Sequence, residues 1–283
     1  MHIGMLYSRI RLEEKWLLEA ARKRDIQVTK IKDDDVHFEL DSHNGKDWEK
    51  LDVVLERCIS HSRAFYALRF FEQYGIPTVN RFEVCRMCGD KALTSLALAS
   101  NKIPTPRTSI VFSRDAALDV MEKMGYPVVM KPVVGSWGRL MAKIETREMA
   151  ESILEHKSVL GNYLHSIFYI QEYIEKPQRD IRTFVLGDEV IAGIYRNSKH
   201  WITNTALGAT VSNCPLDDEL NELSLRAAKA VGGGAIAIDL MEVEGGYTVN
   251  EVNYTMEFKN SVEPTGVDIP AKFIDYIVSV AKS

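Results

Sequence analysis

Ala235-Ile-Ala-Ile-Asp239-Leu-Met-Glu-Val-Glu-Gly-Gly-Tyr-Thr-Val-Asn-Glu251-Val-Asn253 reads as two apolar strands joined by a glycine turn, with acids and an amide set among the apolar residues. A three-residue loop, Glu244-Gly245-Gly246, supplies glycine at the left-handed position such a hairpin needs. That register sets Val243 against Tyr247 and Asp239 against Glu251. Side chains alternate along a strand, so Glu251 and Asn253 share a face with Asp239. Two carboxylates this close repel unless a cation lies between them, and Mg²⁺ takes a few carboxylate ligands together with substrate phosphates. The plain alternative is a solvated hairpin with stray acids. Ile236, Ile238, Val249 and Val252 argue against it, because they call for burial. A slip of one residue would undo the pairing.

Working outward, 283 residues can bury a sizeable core as one large domain or as two or three small ones. Hydrophobic content of 46% and charged content of 27% fit a soluble globular enzyme. A net charge of -5 excludes a general nucleic-acid binder and leaves room only for a local basic patch facing an acidic partner. Met-His-Ile-Gly-Met-Leu-Tyr is too short and too soon followed by charge for a signal peptide, and no apolar run reaches membrane-spanning length. A cytoplasmic protein without a membrane or nucleic-acid partner is expected. Cys85-Arg-Met-Cys88 has the spacing of a zinc or dithiol motif, but Cys58 and Cys214 supply no second ligand pair and no thioredoxin-like strand precedes it. Buried, reduced thiols are the better reading.

Strands at 3–7, 52–56 and 78–80 alternate with helices at 11–24 and 62–74, the second helix stopped by Gly75 with Pro77 beyond. This rhythm predicts a small parallel sheet with helices on its faces; it lacks the G-x-G-x-x-G fingerprint of a dinucleotide site. A helix follows at 90–99, and Pro104-Thr-Pro106 forces an extended connector. Beyond it lie strands at 108–112, 128–131, 168–173, 181–186 and 189–195, with helices at 115–124, 149–160, 217–231 and 269–281. Gly187-Asp188 reads as a hairpin turn. The sum is an α/β chain, mostly parallel at first and mostly antiparallel at the end.

Further residues read with the hairpin. Val128-Val-Met-Lys131 ends an apolar strand on a lysine, which either sits in water or points at a phosphate. The loop Gly135-Ser-Trp-Gly-Arg139 follows, where glycines let backbone amides face an anion and Arg139 adds charge. Lys91 opens a helix after Gly89-Asp90, where dipole and cation both favour an anion, although a first-turn lysine in water is the ordinary case. Gln171-Glu-Tyr-Ile174 is an amphipathic strand leading to Arg179, Asp180 and Arg182, a hinge that reads a purine edge or simply a sheet edge. Arg196, Asn204 and Thr205 lie around a loop containing Trp201.

In this order the features resemble the ATP-grasp superfamily, and within it the RimK-like ligases, in the branch that loads an amino acid onto the carrier protein LysW. The resemblance rests on Glu56-Arg-Cys-Ile-Ser60, Cys88-Gly-Asp-Lys91, Lys131-Pro-Val-Val-Gly-Ser-Trp-Gly-Arg139, Tyr169-Ile-Gln-Glu-Tyr173, Arg179-Asp-Ile-Arg182, Asn204-Thr-Ala206 and Asn250-Glu-Val-Asn-Tyr-Thr-Met-Glu-Phe-Lys-Asn260. It spans essentially the whole chain.

The resemblance implies an ATP-grasp fold in three parts: a small parallel α/β domain at 1–88, a central α/β lid at 89–165, and a mostly antiparallel sheet domain carrying the metal site at 166–283. Lys91 and Lys131 would contact ATP. Gly135, Ser136, Trp137, Gly138, Arg139, Leu140 and Met141 would fold over its phosphates. Gln171, Glu172, Tyr173, Ile174, Arg179 and Asp180 would line the adenine and ribose pocket, with Asn204 beside the nucleotide. Asp239, Glu251 and Asn253 would hold Mg²⁺, expected as two ions, and Arg182 and Asn253 would act on the transferring group. Arg196, Thr205, Ala206, Glu257, Phe258, Lys259, Asn260 and Ser261 would bind the incoming amino acid.

The implied activity is an ATP-dependent, ADP-forming ligase of acids and amines. It would phosphorylate the side chain of the C-terminal glutamate on an acidic LysW-type carrier and then join α-aminoadipate to it, the first carrier-loading step of lysine synthesis. A homo-oligomer, dimer or tetramer, is expected. Glu257-Phe-Lys-Asn260 matches the aminoadipate branch, whereas Leu207-Gly208-Ala209 stands where that branch has Arg-Gly-Gly and resembles the glutamate branch of arginine synthesis. Glutamate, or both amino acids, is therefore the first alternative. A glutamate ligase for another protein or a cofactor is the second. A nucleotide-binding regulator without catalysis is a rival of another class, and the full acid–amide set speaks against it.

Overall fold

The computed structural model describes residues 1–40, 48–135, 140–160, 166–203 and 208–282. Strands β1 (His2–Tyr7), β2 (Gln27–Lys32), β3 (Val53–Arg57) and β4 (Thr78–Val79) form a parallel sheet in the order β2-β1-β3-β4. Helices α1 (Leu12–Arg22) and α2 (His61–Gln73) carry the chain between them. Every residue of β3 is buried, as a central parallel strand requires. β2 has no counterpart in the sequence reading. It is an edge strand whose Gln27, Thr29, Lys30 and Lys32 face water for part of their surface, so it lacks the apolar run that marks its neighbours. The C-x-x-C pair lies in helix α3 (Phe82–Cys88). Cys85 and Cys88 are free, and burial pushes both thiols up.

Helix α4 (Lys91–Ser100) is capped by Asp90, whose carboxylate accepts from the backbone of Ala92 and Leu93. A second sheet follows, built antiparallel from β5 (Thr108–Val111), β6 (Val128–Lys131), β7 (Ala142–Ile144) and β8 (Phe168–Glu172) in the order β5-β8-β6-β7. Helices α5 (Arg114–Met124) and α6 (Arg147–Leu160) cover it through Ala117, Met121, Ala150 and Leu154.

The third sheet is antiparallel, ordered β11-β10-β9-β12-β13, from β9 (Arg179–Leu186), β10 (Glu189–Asn197), β11 (Thr210–Asn213), β12 (Ala235–Val243) and β13 (Gly246–Asn253). Helix α7 (Asp218–Ala230) packs on one face through Leu220, Leu223 and Ala227. On the other face Phe184, Ala235 and Ala237 share one core with Ile3, Met5 and Leu17 of the first sheet and with Phe273 and Ile274 of helix α9 (Ile269–Lys282). The first and third sheets are thereby fastened through a common apolar layer. No helix among the described residues is long and apolar enough to cross a membrane.

The hairpin turn differs from the sequence expectation. Val243 pairs with Gly246, not Tyr247, so the loop is the two residues Glu244 and Gly245. A β-bulge between Asp239 and Leu240 then takes up the extra residue, Asn250, and restores Asp239 opposite Glu251. The expected pairing of the two acids is present, by a different route.

Candidate active site

The bulge gathers polar groups on one side of β13. Asn250, Glu251 and Asn253 all line a cavity of about 790 Å³ together with Asp239. Asp239 is met by two guanidinium groups. Arg182 donates to it through Nε at 2.6 Å and Nη2 at 2.8 Å, and Arg196 Nη2 lies 3.2 Å away. Burial alone would raise the Asp239 pKa, but the charges of Arg182 and Arg196 overcome it and hold the carboxylate below its ordinary value. Arg196 also forms a two-pronged pair with Asp180 at 2.6 and 2.7 Å. Lys176 extends the network, 3.6 Å from Asp180 and donating to Thr203 at 2.8 Å.

Lysines approach from the second sheet and from α4. Lys131, at the end of β6, is 4% exposed, so it is not the solvated strand end its sequence position suggests. Its ammonium donates to Gln171 Oε1 at 2.7 Å and Asn250 Oδ1 at 2.9 Å. Burial pushes its pKa down to about 8, an effect partly offset by Glu251. Lys91 Nζ lies 3.1 Å from Glu251 Oε1 and donates to the carbonyl of Gly135 at 2.8 Å. Gln171 is itself oriented by donating to Thr108 Oγ1 and Tyr169 OH. Gln171, Glu172, Tyr173 and Ile174 line the same cavity, as do Gly135 and Met141.

The far end of the cavity is built by the first sheet and the chain after β13. Arg57 is fully buried; it donates from Nε to Glu14 at 2.8 Å and from Nη1 to the Met256 carbonyl at 2.7 Å. Glu14 is also held by Arg11, which reaches on from Nη1 to Glu257 at 2.7 Å. Glu56 accepts from Thr255 Oγ1 at 2.8 Å, and burial raises its pKa to about 7. These bonds fix the backbone that presents Glu257, Lys259 and Asn260 to the cavity.

The structure thus brings Lys91, Lys131, Gly135, Met141, Gln171, Glu172, Tyr173, Ile174, Asp180, Arg182, Arg196, Asp239, Glu251, Asn253, Glu257, Lys259 and Asn260 to one cavity. Four expected residues lie off its wall. Phe258 is fully buried against Trp16 and Phe273, Ser261 is buried beside it, Arg179 pairs with Glu242 over the Tyr195 ring, and Leu140 is exposed. Ser136, Trp137, Gly138, Arg139, Asn204, Thr205, Ala206 and Leu207 lie outside the described residues. Sequence reasoning missed Asn250, Lys176, Arg9, Arg11 and Glu13, all on the cavity wall. Simple alternation placed Asn250 on the opposite face, and only the bulge turns it inward. The three N-terminal residues carry no local signal, because the turn from β1 into α1 reaches the site through topology.

The acids suit a divalent cation. Among the described residues no group of three His, Cys, Asp or Glu side chains could hold a metal by itself. Asp239, Glu251 and Asn253 instead offer two carboxylates and an amide, the hard-oxygen set that Mg²⁺ completes with substrate phosphates. Asn253 Nδ2 is buried without a hydrogen-bond partner, and a half-turn of the amide presents an oxygen at that place. The residues fit the ion.

Residues 88–277 match the RimK-like ATP-grasp domain and residues 3–87 the LysX preATP-grasp domain. The α-aminoadipate–LysW ligase LysX of Saccharolobus solfataricus is 41% identical over 93% of this chain and 96% of its own length. The glutamate–LysW ligase ArgX of Sulfolobus acidocaldarius is 35% identical over 98% of each chain. In fold, the chain is similar to a RimK domain ATP-grasp protein of Sphaerobacter thermophilus, with a TM-score of 0.83 at 23% identity over 98% of this chain and 100% of that one. It is also similar to D-alanine–D-alanine ligase of Bacillus anthracis, with a TM-score of 0.74 at 18% identity over 100% and 97% of the two chains. The three-sheet α/β architecture is the ATP-grasp fold, and the chain belongs to the RimK-like ATP-grasp family of ATP-dependent carboxylate–amine ligases.

Proposed function

We propose that the protein joins the amino group of α-aminoadipate to the γ-carboxylate of the C-terminal glutamate of a LysW-type carrier, through an acyl phosphate formed from ATP. The observation that carries this reading is a single cavity lined by two chemically distinct sets of residues. One set is Lys91, Lys131, Arg182 and the Asp239–Glu251–Asn253 group, and the other is Glu257, Lys259 and Asn260. The relatives named for LysW loading, matched over nearly their whole length, support the carrier and the amino acid.

A carboxylate is a poor acylating agent, so the γ-phosphoryl group is moved to it first. In this reading Gln171, Glu172, Tyr173 and Ile174 bind the base, and Lys91 and Lys131 hold the phosphates. Arg182, released in part from Asp239, stabilises the charge on the transferring group, a role of position and electrostatics. Mg²⁺, expected as two ions at Asp239, Glu251 and Asn253, would supply further charge neutralisation there. Residues 89–165 would act as the lid that excludes water from the acyl phosphate, 166–283 as the platform of the metal set, and 1–88 as the wall of the acceptor end. The amino group, once it has given up its ammonium proton to water, attacks the acyl carbon; the C–N bond forms as the acyl C–O bond breaks, phosphate departs, and the nitrogen loses a second proton to give the amide. No side-chain nucleophile is needed.

Glutamate is the second reading, favoured by Leu207 and by the ArgX relative. A third, glutamate transfer to a cofactor, has a more distant relative in the tetrahydromethanopterin:α-L-glutamate ligase of Methanococcus maripaludis, 31% identical over 77% of this chain. Mass spectrometry of the carrier after incubation with ATP, Mg²⁺ and each amino acid separates the first two, since their adducts differ by one methylene. An unmodified carrier would overturn both.

A further inference from the structure

Glu13 is 1% exposed and lies on the cavity wall, yet its Oε2 has no hydrogen-bond partner and the side chain has no ion pair among the described residues. A buried carboxylate in this state is costly, and native proteins rarely keep one without a purpose. The nearest guanidinium groups spend most of their donors elsewhere, although Arg57 Nη2 is itself buried without a partner. Arg11 spends Nε and Nη2 on Glu14 and Nη1 on Glu257, and Arg57 is engaged by Glu14 and the Met256 carbonyl. The first turn of α1 favours an acid, but the reach back to the Arg11 N–H is taken by Glu14. Glu13 is therefore a buried acid on the cavity wall with an oxygen that no hydrogen bond of the protein satisfies.

The chemistry of the reaction says which ligand. ATP and the carboxylate to be activated are anions. Mg²⁺ has its oxygen set at Asp239, Glu251 and Asn253. The cation left is the ammonium group of the incoming amino acid. Arg9 and Lys259, both exposed, line the same cavity and have no ion pair among the described residues, so cations are present for that substrate's carboxylates. We propose that Glu13 is the receptor for the ammonium group of the incoming amino acid, an inference that rests on the carboxylate–amine ligase reading above.

The test uses the whole enzyme with its carrier and two nucleophiles. Hydroxylamine, uncharged near neutral pH, captures the acyl phosphate as a hydroxamate without needing an ammonium receptor. Glu13→Gln is expected to raise the KM for the amino acid by about ten- to hundredfold, the scale of a charged hydrogen bond. The KM for ATP, the rate of hydroxamate formation and inhibition by the des-amino dicarboxylate, adipate or glutarate, should stay at wild-type values. An amino-acid KM within about twofold of wild type overturns the proposal, as does a parallel fall in hydroxamate formation. The wild-type protein gives an independent check: it should bind the amino acid at least about tenfold more tightly than the matching des-amino dicarboxylate, and equal affinity also overturns the proposal. A wild-type enzyme that forms no carrier hydroxamate would instead refute the carrier-ligase reading, separately from Glu13.

Discussion

The Lys131 ammonium donates to Asn250 Oδ1 at 2.9 Å, tying the end of β6 in the second sheet to the bulge of β13 in the third. The bond holds a cation where the two sheets meet over the cavity. Lys131→Met should remove a phosphate contact and raise the KM for ATP by about tenfold or more, with little change for the amino acid. Steady-state titration of each substrate checks this. An unchanged ATP KM would show that Lys131 serves only to join the sheets.

The same lysine gives a pH signature. Burial lowers its pKa to about 8 from 10.5, so between those values the unfolded chain holds a proton that the folded chain has released. Its contribution to stability therefore rises with pH across that window. ATP binding runs the other way, because the lysine loses its charge above about pH 8. The KM for ATP should climb from about pH 7 to about pH 9.5 in the wild type and climb less in Lys131→Met. Parallel profiles for the two proteins would remove Lys131 from phosphate binding.

Glu251→Gln keeps the size of the side chain and removes its charge. Its ion pair to Lys91, at 3.1 Å, keeps some access to water, so the folded state should lose only about 1 kcal/mol. Ligation should be lost with little change in melting temperature. Turnover at the wild-type rate would sink the assignment of Glu251 to the metal set.

The strands of the hairpin were legible because Ile236, Ile238, Val249 and Val252 call for burial on both strands, and the pairing of Asp239 with Glu251 came with them. The turn was not legible at single-residue precision. Gly245 and Gly246 can both adopt positive φ, and which of them ends the loop is decided by the bulge at Asn250. Strand β2 and helix α3 escaped notice for a different reason. One is a polar edge, and the other is a short helix around a C-x-x-C motif that invites chemical readings. The contribution of Arg11 and Arg57 could not be read locally, since their partners Glu257 and Met256 lie about two hundred or more residues away in the chain.

Arg57 tests how far the first sheet supports the site. Its fully buried pair with Glu14 is an ion pair without access to water, and removing one partner strands the other. Arg57→Leu should destabilise by about 3 kcal/mol, the low end for such pairs because Arg11 still reaches Glu14. Equilibrium denaturation measures it. Adding Glu14→Leu should recover part of the loss, since an apolar pair carries no desolvation penalty; a further drop would mean that Glu14 is needed for Arg11 and Glu257.

The choice between amino acids centres on Asn260, which lines the acceptor end of the cavity, next to Ser261, which does not. α-Aminoadipate is longer than glutamate by one CH₂, a difference worth about 1–3 kcal/mol in a fitted pocket. Asn260→Gly alone opens the wall, so we expect the shift of the kcat/KM ratio toward glutamate, roughly tenfold at the lower end of that range, from Asn260→Gly combined with Ser261→Phe. Ser261 is 1% exposed and donates its N–H to the Phe258 carbonyl at 2.9 Å, in the turn that opens α8 (Val262–Thr265). A phenylalanine there has no free space to enter, so Ser261→Phe alone should destabilise by about 1–3 kcal/mol through overpacking. It would influence specificity only by moving the backbone that carries Asn260. With carrier saturating, the ratio of the two kcat/KM values and the melting temperature are measured on both single variants and the double. A ratio unchanged in a folded, ATP-binding double variant would move specificity to the segment of Leu207.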